Sequence, residues 1–472
     1  MSASTTVVRA LDVPPAVLRQ LARRYPERYP ALFDSVAAGP LGRASILAAR
    51  SRAALWLTPD GRIGAEGVSA NGTDFLFALE NWWRAEQAEP DPGVTLPFAG
   101  GWVVFLAYEA AQLIEPHLVL PRSDLPWQAF ALRTPCALVH DLASDRVYAV
   151  GEREARAELE LLQRDATAVA QSLSAAPASA SLGALQIREE EPAKYLERVR
   201  RAQEYIRAGD IYQANLSRPW RVEAECRPGR PRLDATQAGP LYERLCAMNP
   251  APFAALAQYQ DVALLSSSPE RLIRVTGRDV ETRPIAGTRP RSRAPGGDAA
   301  EAAAMVAHPK ERAEHIMLID LERNDLGRVC EAGSVRVDEL MVTETYAHVH
   351  HIVSNVRGRL RPQVTPIGAL RAVFPGGTIT GCPKFRCMQI IAELEGEGRG
   401  AYTGSLGFLG RDGRMDLNIL IRTMTLNSSG LSLRAGAGIV ADSIPERELE
   451  ETRAKARGML AALEPERVEA SA

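Results

Sequence analysis

Apolar positions along the chain change period several times, and each change marks an element. Val17 to Arg24 repeats at helical spacing, and Ile46 to Leu57 predicts a strand hairpin. The run FAGGWVVFLA, Phe98 to Ala107, is apolar with a glycine pair near its start. Within Ala137 to Gly151, ALVHD and RVYAVG read as two strands around a polar turn, and a helix follows from Arg153 to about Ala170. Ser172 to Ala184 is rich in small residues and has no period. It predicts a linker between an N-terminal region, residues 1–171, and a C-terminal domain, residues 185–466.

Beyond the linker, Pro192 to Ala208 predicts a helix stopped by Gly209, and DIYQANLSRPWRV alternates like a strand. Phe253 to Ala257 and Val262 to Ser266 form the next strand pair. KERAEHIMLIDLERNDLGRVC predicts a long helix, SVRV and HVHHIVSNVRG two strands, and Phe385 to Leu394 a further helix. Three strands (SLGFLG, NILIRTMTL and LSLRAGAGIV) and an acidic helix complete the series. Strand runs joined by hairpins, with helices between them, predict an α+β fold with a largely antiparallel sheet.

The 472 residues are too many for one ordinary core. A net charge of −2 argues against a nucleic-acid partner. Six scattered cysteines without a CxxC pair fit neither a zinc site nor a disulfide framework. The first residues lack the order of a signal peptide, and no apolar run reaches membrane-spanning length, so a cytoplasmic protein without a membrane partner is expected.

The chemistry concentrates in RAGAGIVADSIPERELEETRAKARGM, Arg434 to Met459. Gly436 and Gly438 let backbone N–H groups approach a ligand, and Asp442 or Ser443 is placed to cap the following helix. On that helix Glu448, Glu451 and Lys455 share one face; in the long helix Glu311 and Glu314 share another. Paired carboxylates suit Mg²⁺, a hard cation that takes oxygen ligands, though the same spacing serves an ordinary solvated face. Glu270, at the end of an apolar strand, is placed to act as a general acid if burial raises its proton affinity; Pro-Glu also simply starts a turn. In HVHH, strand alternation sends His351 away from His348 and His350, which argues against a zinc cluster. PGGTITGCPK does not match a phosphate loop. Arg422, in an otherwise apolar strand, needs an anionic partner, from the protein or from a substrate.

The segments DIYQANLSR, SPERL, RPIAGTRPR, LIDLERNDLGRVC, HHIVS, FPGGTITGCPK, AYTGSLGF, IRTM and GAGIVADSIPERELEETRAKA resemble the chorismate-utilising enzymes, which include anthranilate, aminodeoxychorismate, isochorismate and salicylate synthases. The resemblance covers about 190–460. It implies antiparallel sheets with helices on the outside and the N-terminal region packed on the same body. It also implies that Glu314 and Glu451 bind Mg²⁺ directly, with Glu311 and Glu448 supporting through water. Tyr402 and Arg422 would hold the enolpyruvyl carboxylate, while Gly436, Gly438, Lys455 and Gly287 complete the substrate cradle. Glu270 matches the acid that protonates the departing 4-hydroxyl. His351, Gln213 and Thr288 complete the implied catalytic set.

Water-using members carry a lysine base where this chain has Gln213, so the resemblance points to ammonia, supplied by a separate glutamine amidotransferase subunit. DIYQANLSR and FPGGTITGCPK look more like aminodeoxychorismate synthase component I, on the route to p-aminobenzoate and folate. Ala286, in place of a lysine that forms a covalent adduct in many of those enzymes, is shared with anthranilate synthases, the first alternative. LFDSV with Ser35, and NPAPF with Asn249, Pro250 and Phe253, resemble a tryptophan site; a plain helix–strand contact is the other reading. A non-catalytic tryptophan-binding regulator is the second alternative.

Overall fold

The computed structural model describes residues 5–37, 42–173, 185–224, 233–291, 309–345 and 349–464, with isolated positions between 298 and 307; the side chains of 288–290, 309–311 and 349 fall outside that description. Most of the predicted linker, 174–184, also falls outside it.

Among the described residues, one sheet has twelve strands and a second has eleven. Each mixes strands from both sides of the predicted linker. Ala31–Asp34 pairs with Phe253–Tyr259 in the first, and Gly101–Leu106 with Ser405–Gly410 in the second, both antiparallel. The sheets stack face to face, because Ala48 and Leu264 of one pack with Val103, Phe105, Phe130 and Leu406 of the other. Each of the Val, Leu and Phe side chains so withdrawn from water contributes about 1.5–3 kcal/mol. Helices cover the outer faces. Ala16–Arg24, Arg156–Gln171, Ala238–Met248 and Pro445–Ala461 lie on the first sheet, and Phe75–Glu86, Pro309–Gly327 and Pro366–Val373 on the second. The α+β architecture with helices outside is therefore the one observed.

Three local expectations are corrected. Ile46 to Leu57 is not a hairpin: Ala44–Ala49 pairs within the first sheet and Ala53–Leu57 within the second, so this segment passes between layers. NILIRTMTL is not one strand. Met415–Ile419 ends in the second sheet and Thr423–Asn427 begins in the first. The crossover is turned by Arg422, whose φ of 51° lies in the left-handed region, at a cost of about 1–3 kcal/mol. Neither Asp442 nor Ser443 caps the last helix. Its N-cap is Ile444 with Pro445 in the first turn, and the Ser443 hydroxyl instead accepts from the Val440 N–H at 3.1 Å.

Candidate active site

Strand Gly430–Ile439 pairs with Gln213–Ala224, placing Gly438 beside Asn215 and Gly436 beside Ser217. These glycines keep space open. A Cβ at Gly438 would sit 2.6 Å from Gln213 Nε2 and 3.3 Å from Glu314 Oε1; one at Gly436 would sit 2.7 Å from the Tyr402 hydroxyl. Gln213 Nε2 donates to Glu314 Oε1 at 3.0 Å, while its buried Oε1 has no hydrogen-bond partner among the described residues. Lys455 donates to the Gly436 carbonyl at 3.0 Å and pairs with Glu451 at 2.8 Å. Lys455 and Glu451 keep 43% and 47% of their side chains open to water, so the site is accessible. Burial opposes the Lys455 charge, but Glu451, Tyr402 and Glu314 outweigh it and hold the ammonium above its usual range.

A second group comprises Glu270, His351 and Arg422. Glu270 is 4% exposed, and its Oε1 accepts from the Thr378 hydroxyl at 2.7 Å. Burial pushes its carboxyl up to about 8, so it holds its proton at neutral pH; Lys455 pulls the other way. His351 pairs in register with Thr288 across a bulge at Gly287, whose φ is +68°. Burial, with the Arg422 charge, lowers the imidazole to about 3, so the ring is neutral. Arg422 is half-buried. Desolvation lowers its proton affinity, and the Glu270 carboxylate would oppose this only once it has given up its proton.

Thus Gln213, Glu314, Tyr402, Gly436, Gly438, Glu451 and Lys455 converge; Glu270, His351 and Arg422 form a second group through the influence of the Arg422 charge, and the Lys455 charge also reaches Glu270. Glu448 is buried on the same helix as Glu451, and both bear on the Tyr195 hydroxyl. The side chains of Glu311 and Thr288, and all of His348, lie outside the described residues. Among the described residues no three His, Cys, Asp or Glu side chains lie close enough together to hold a metal ion. The Glu314 carboxylate beside the space kept by Gly438 is nonetheless a ligand of the kind a hard cation takes.

Sequence reasoning missed two residues. Thr378, in the PGGTITGCPK turn, holds the proposed acid; its signal in the sequence is one of two threonine hydroxyls in a glycine-rich stretch. Glu322, also 4% exposed, adds its charge to the surroundings of Glu270.

The residues that resemble a tryptophan site lie on two adjoining segments, the Val36 N–H donating to the Ala251 carbonyl at 3.2 Å. Ser35 and Phe253 line a cavity of about 520 Å³ that also includes Phe33, Arg43 and Phe408, whereas Asn249 and Pro250 do not line it. Ser35 Oγ donates to the Ala44 carbonyl at 2.9 Å, and Asn249 Nδ2 to the Ser267 carbonyl at 3.4 Å. Another cavity, of about 820 Å³, lies on the other side of Ser35 and contains none of the chemistry above. The five described cysteines are free thiols, and no described helix is long and apolar enough to cross a membrane.

A family profile described as chorismate binding enzyme matches residues 51–461. The chain is 42% identical to anthranilate synthase component 1 of Streptomyces coelicolor, over 86% of this chain and 80% of that one. It is 36% identical to aminodeoxychorismate synthase component 1 of Bacillus subtilis, over 85% and 86%. The crystal structure of anthranilate synthase component I from Streptococcus pneumoniae superposes with a TM-score of 0.74 at 32% identity, covering 89% of this chain and 93% of that one.

Proposed function

The chain belongs to the chorismate-binding enzyme family, and on that footing we propose that it aminates chorismate at ring carbon 4, giving 4-amino-4-deoxychorismate. The observation that carries amination is Gln213. A neutral amide tied to Glu314 cannot deprotonate water, whereas ammonia is already a nucleophile. A separate glutamine amidotransferase subunit would supply that ammonia.

Chorismate carries two carboxylates, and the cations stand apart to meet them. Arg422 and Tyr402 take the enolpyruvyl carboxylate, while Lys455 and the N–H groups near Gly436 and Gly438 complete the anion cradle. Glu314 and Glu451, supported by Glu448 and Glu311, would hold Mg²⁺, whose charge neutralises the ring carboxylate when it is bound. Glu270 gives its proton to the departing 4-hydroxyl, which leaves as water. Its high proton affinity keeps the acid loaded at neutral pH. Neutral His351 adds no charge of its own beside the ring.

The choice of carbon 4 rests on DIYQANLSR and FPGGTITGCPK. Buried Ala286 cannot form an adduct, so amination at carbon 4 needs ammonia itself to add first at carbon 2, as the 4-hydroxyl leaves as water, and a second ammonia to add at carbon 4, as the carbon-2 nitrogen leaves as ammonia. Ala286 and the names of most matched relatives favour a second reading, anthranilate synthase component I, which would also eliminate pyruvate. Incubation with chorismate, Mg²⁺ and ammonium at alkaline pH separates the two. The expected result is p-aminobenzoate only after a lyase is added. Anthranilate fluorescence without a lyase refutes carbon 4, and no turnover with either refutes the enzymatic reading.

A further inference from the structure

We infer that Glu322 is a positioning residue for proton transfer, seated behind Glu270 by the same turn and setting how tightly that acid keeps its proton. The inference rests on the reading of Glu270 as the general acid.

The geometry is a pair of carboxylates on one short backbone segment. Thr378 donates its hydroxyl to Glu270 at 2.7 Å, and the preceding amide, Gly377, interacts with Glu322. A Cβ on Gly377 would lie 3.4 Å from Glu322 Oε1 and 2.5 Å from Leu321, so the close approach of turn to helix requires glycine. Both carboxylates are 4% exposed, so little water screens one from the other. Burial raises the proton affinity of each, and the charge of Glu322 raises that of Glu270 further.

Behind Glu322 the arrangement continues outward. Asp325, one turn along the same helix, adds negative charge, and Lys384 at the start of helix Lys384–Glu395 opposes it. Lys384 pairs with Asp325 and donates to the Val373 carbonyl at 3.2 Å. Arg328, half exposed, holds the other oxygen of Asp325 at 2.9 Å. On the substrate side, Lys455 and Arg422 face Glu270. Glu322 approaches the acid through the Gly377–Thr378 turn, apart from the residues assigned to chorismate.

The sign follows from repulsion. An ionised Glu322 disfavours ionisation of Glu270, so the acid stays loaded to higher pH. When Glu270 passes its proton to the leaving hydroxyl, it becomes the carboxylate that Glu322 repels, and the pair favours taking up a fresh proton before the next turnover.

Chorismate consumption by the full-length protein, followed against pH at fixed free ammonia and saturating Mg²⁺, tests this. In Glu322→Gln the alkaline limb is expected to move down by roughly half a pH unit or more, with the rate at its acid end retained. Glu322→Asp, which draws the charge back by one methylene, is expected to move it in the same direction by a smaller step. A merely structural residue would scale the whole profile without moving the limb. An unmoved limb in either folded variant overturns the inference. Wild-type turnover in Glu270→Gln would instead overturn the acid assignment on which it rests, and the two failures are distinguishable.

Discussion

Replacing Glu270 by glutamine is expected to stabilise the protein at neutral pH while impairing its chemistry. The folded carboxyl keeps its proton to about 8, whereas the unfolded one releases it near 4.5. Across that window the folded state holds a proton that the unfolded state lacks, so stability falls as pH rises from 4.5 towards 8 and levels off beyond. Each pH unit is worth about 1.4 kcal/mol, so the folded state loses about 3 kcal/mol by pH 7. Glutamine is nearly isosteric, cannot ionise, and keeps an oxygen to accept from Thr378. Any weakening of that hydrogen bond costs only about 1 kcal/mol, less than the gain. Urea midpoints at intervals from pH 4.5 to 8.5 should show the two proteins nearly equal at the acid end, with the variant ahead by about 2–3 kcal/mol at pH 7. A difference that stays constant across the range would refute the buried, protonated carboxyl.

Glu314→Gln should abolish turnover while leaving the denaturation midpoint nearly unchanged, because it removes ligand charge at an accessible site; full activity would remove the metal assignment. Gln213→Lys should divert chorismate towards a hydroxylated product, read by product analysis, since it supplies a base for water. Glu395→Gln should cost about 3 kcal/mol of stability, measured by denaturant midpoint, because it takes the paired charge from buried Arg399, while Arg434 keeps Glu397. Those cations hold the Glu395 carboxyl below its usual range against burial, so its contribution is present above pH 4.5 and lost as pH falls below it.

The sequence made the elements and the donor types legible because both are local properties. Period separated the strands from the helices, and one-turn spacing put Glu448, Glu451 and Lys455 on a common face. What it hid were passages between layers. Ala44–Ala49 and Ala53–Leu57 look like a hairpin because each is a short apolar run near the other, yet their partners lie far along the chain. Arg422 looked like a cation inside a strand. Its left-handed backbone instead turns the chain from one sheet to the other, and its charge is felt by both Glu270 and His351. Thr378 and Glu322 matter through a contact between a turn and a helix, which no spacing within either segment records. The cradle itself was partly legible, since Gly436 and Gly438 mark where side chains are absent; only the structure supplies Gln213, Glu314 and Tyr402 as the neighbours that need the room.

The central claim is that a protonated Glu270 drives departure of the chorismate hydroxyl in a site whose cations hold both carboxylates. Single-turnover chorismate consumption by Glu270→Gln, measured beside chorismate binding by the same protein, addresses it most directly. The account predicts unchanged affinity with a rate lowered by about 10²–10⁴-fold, the usual contribution of a positioned acid. Consumption at the wild-type rate would contradict it.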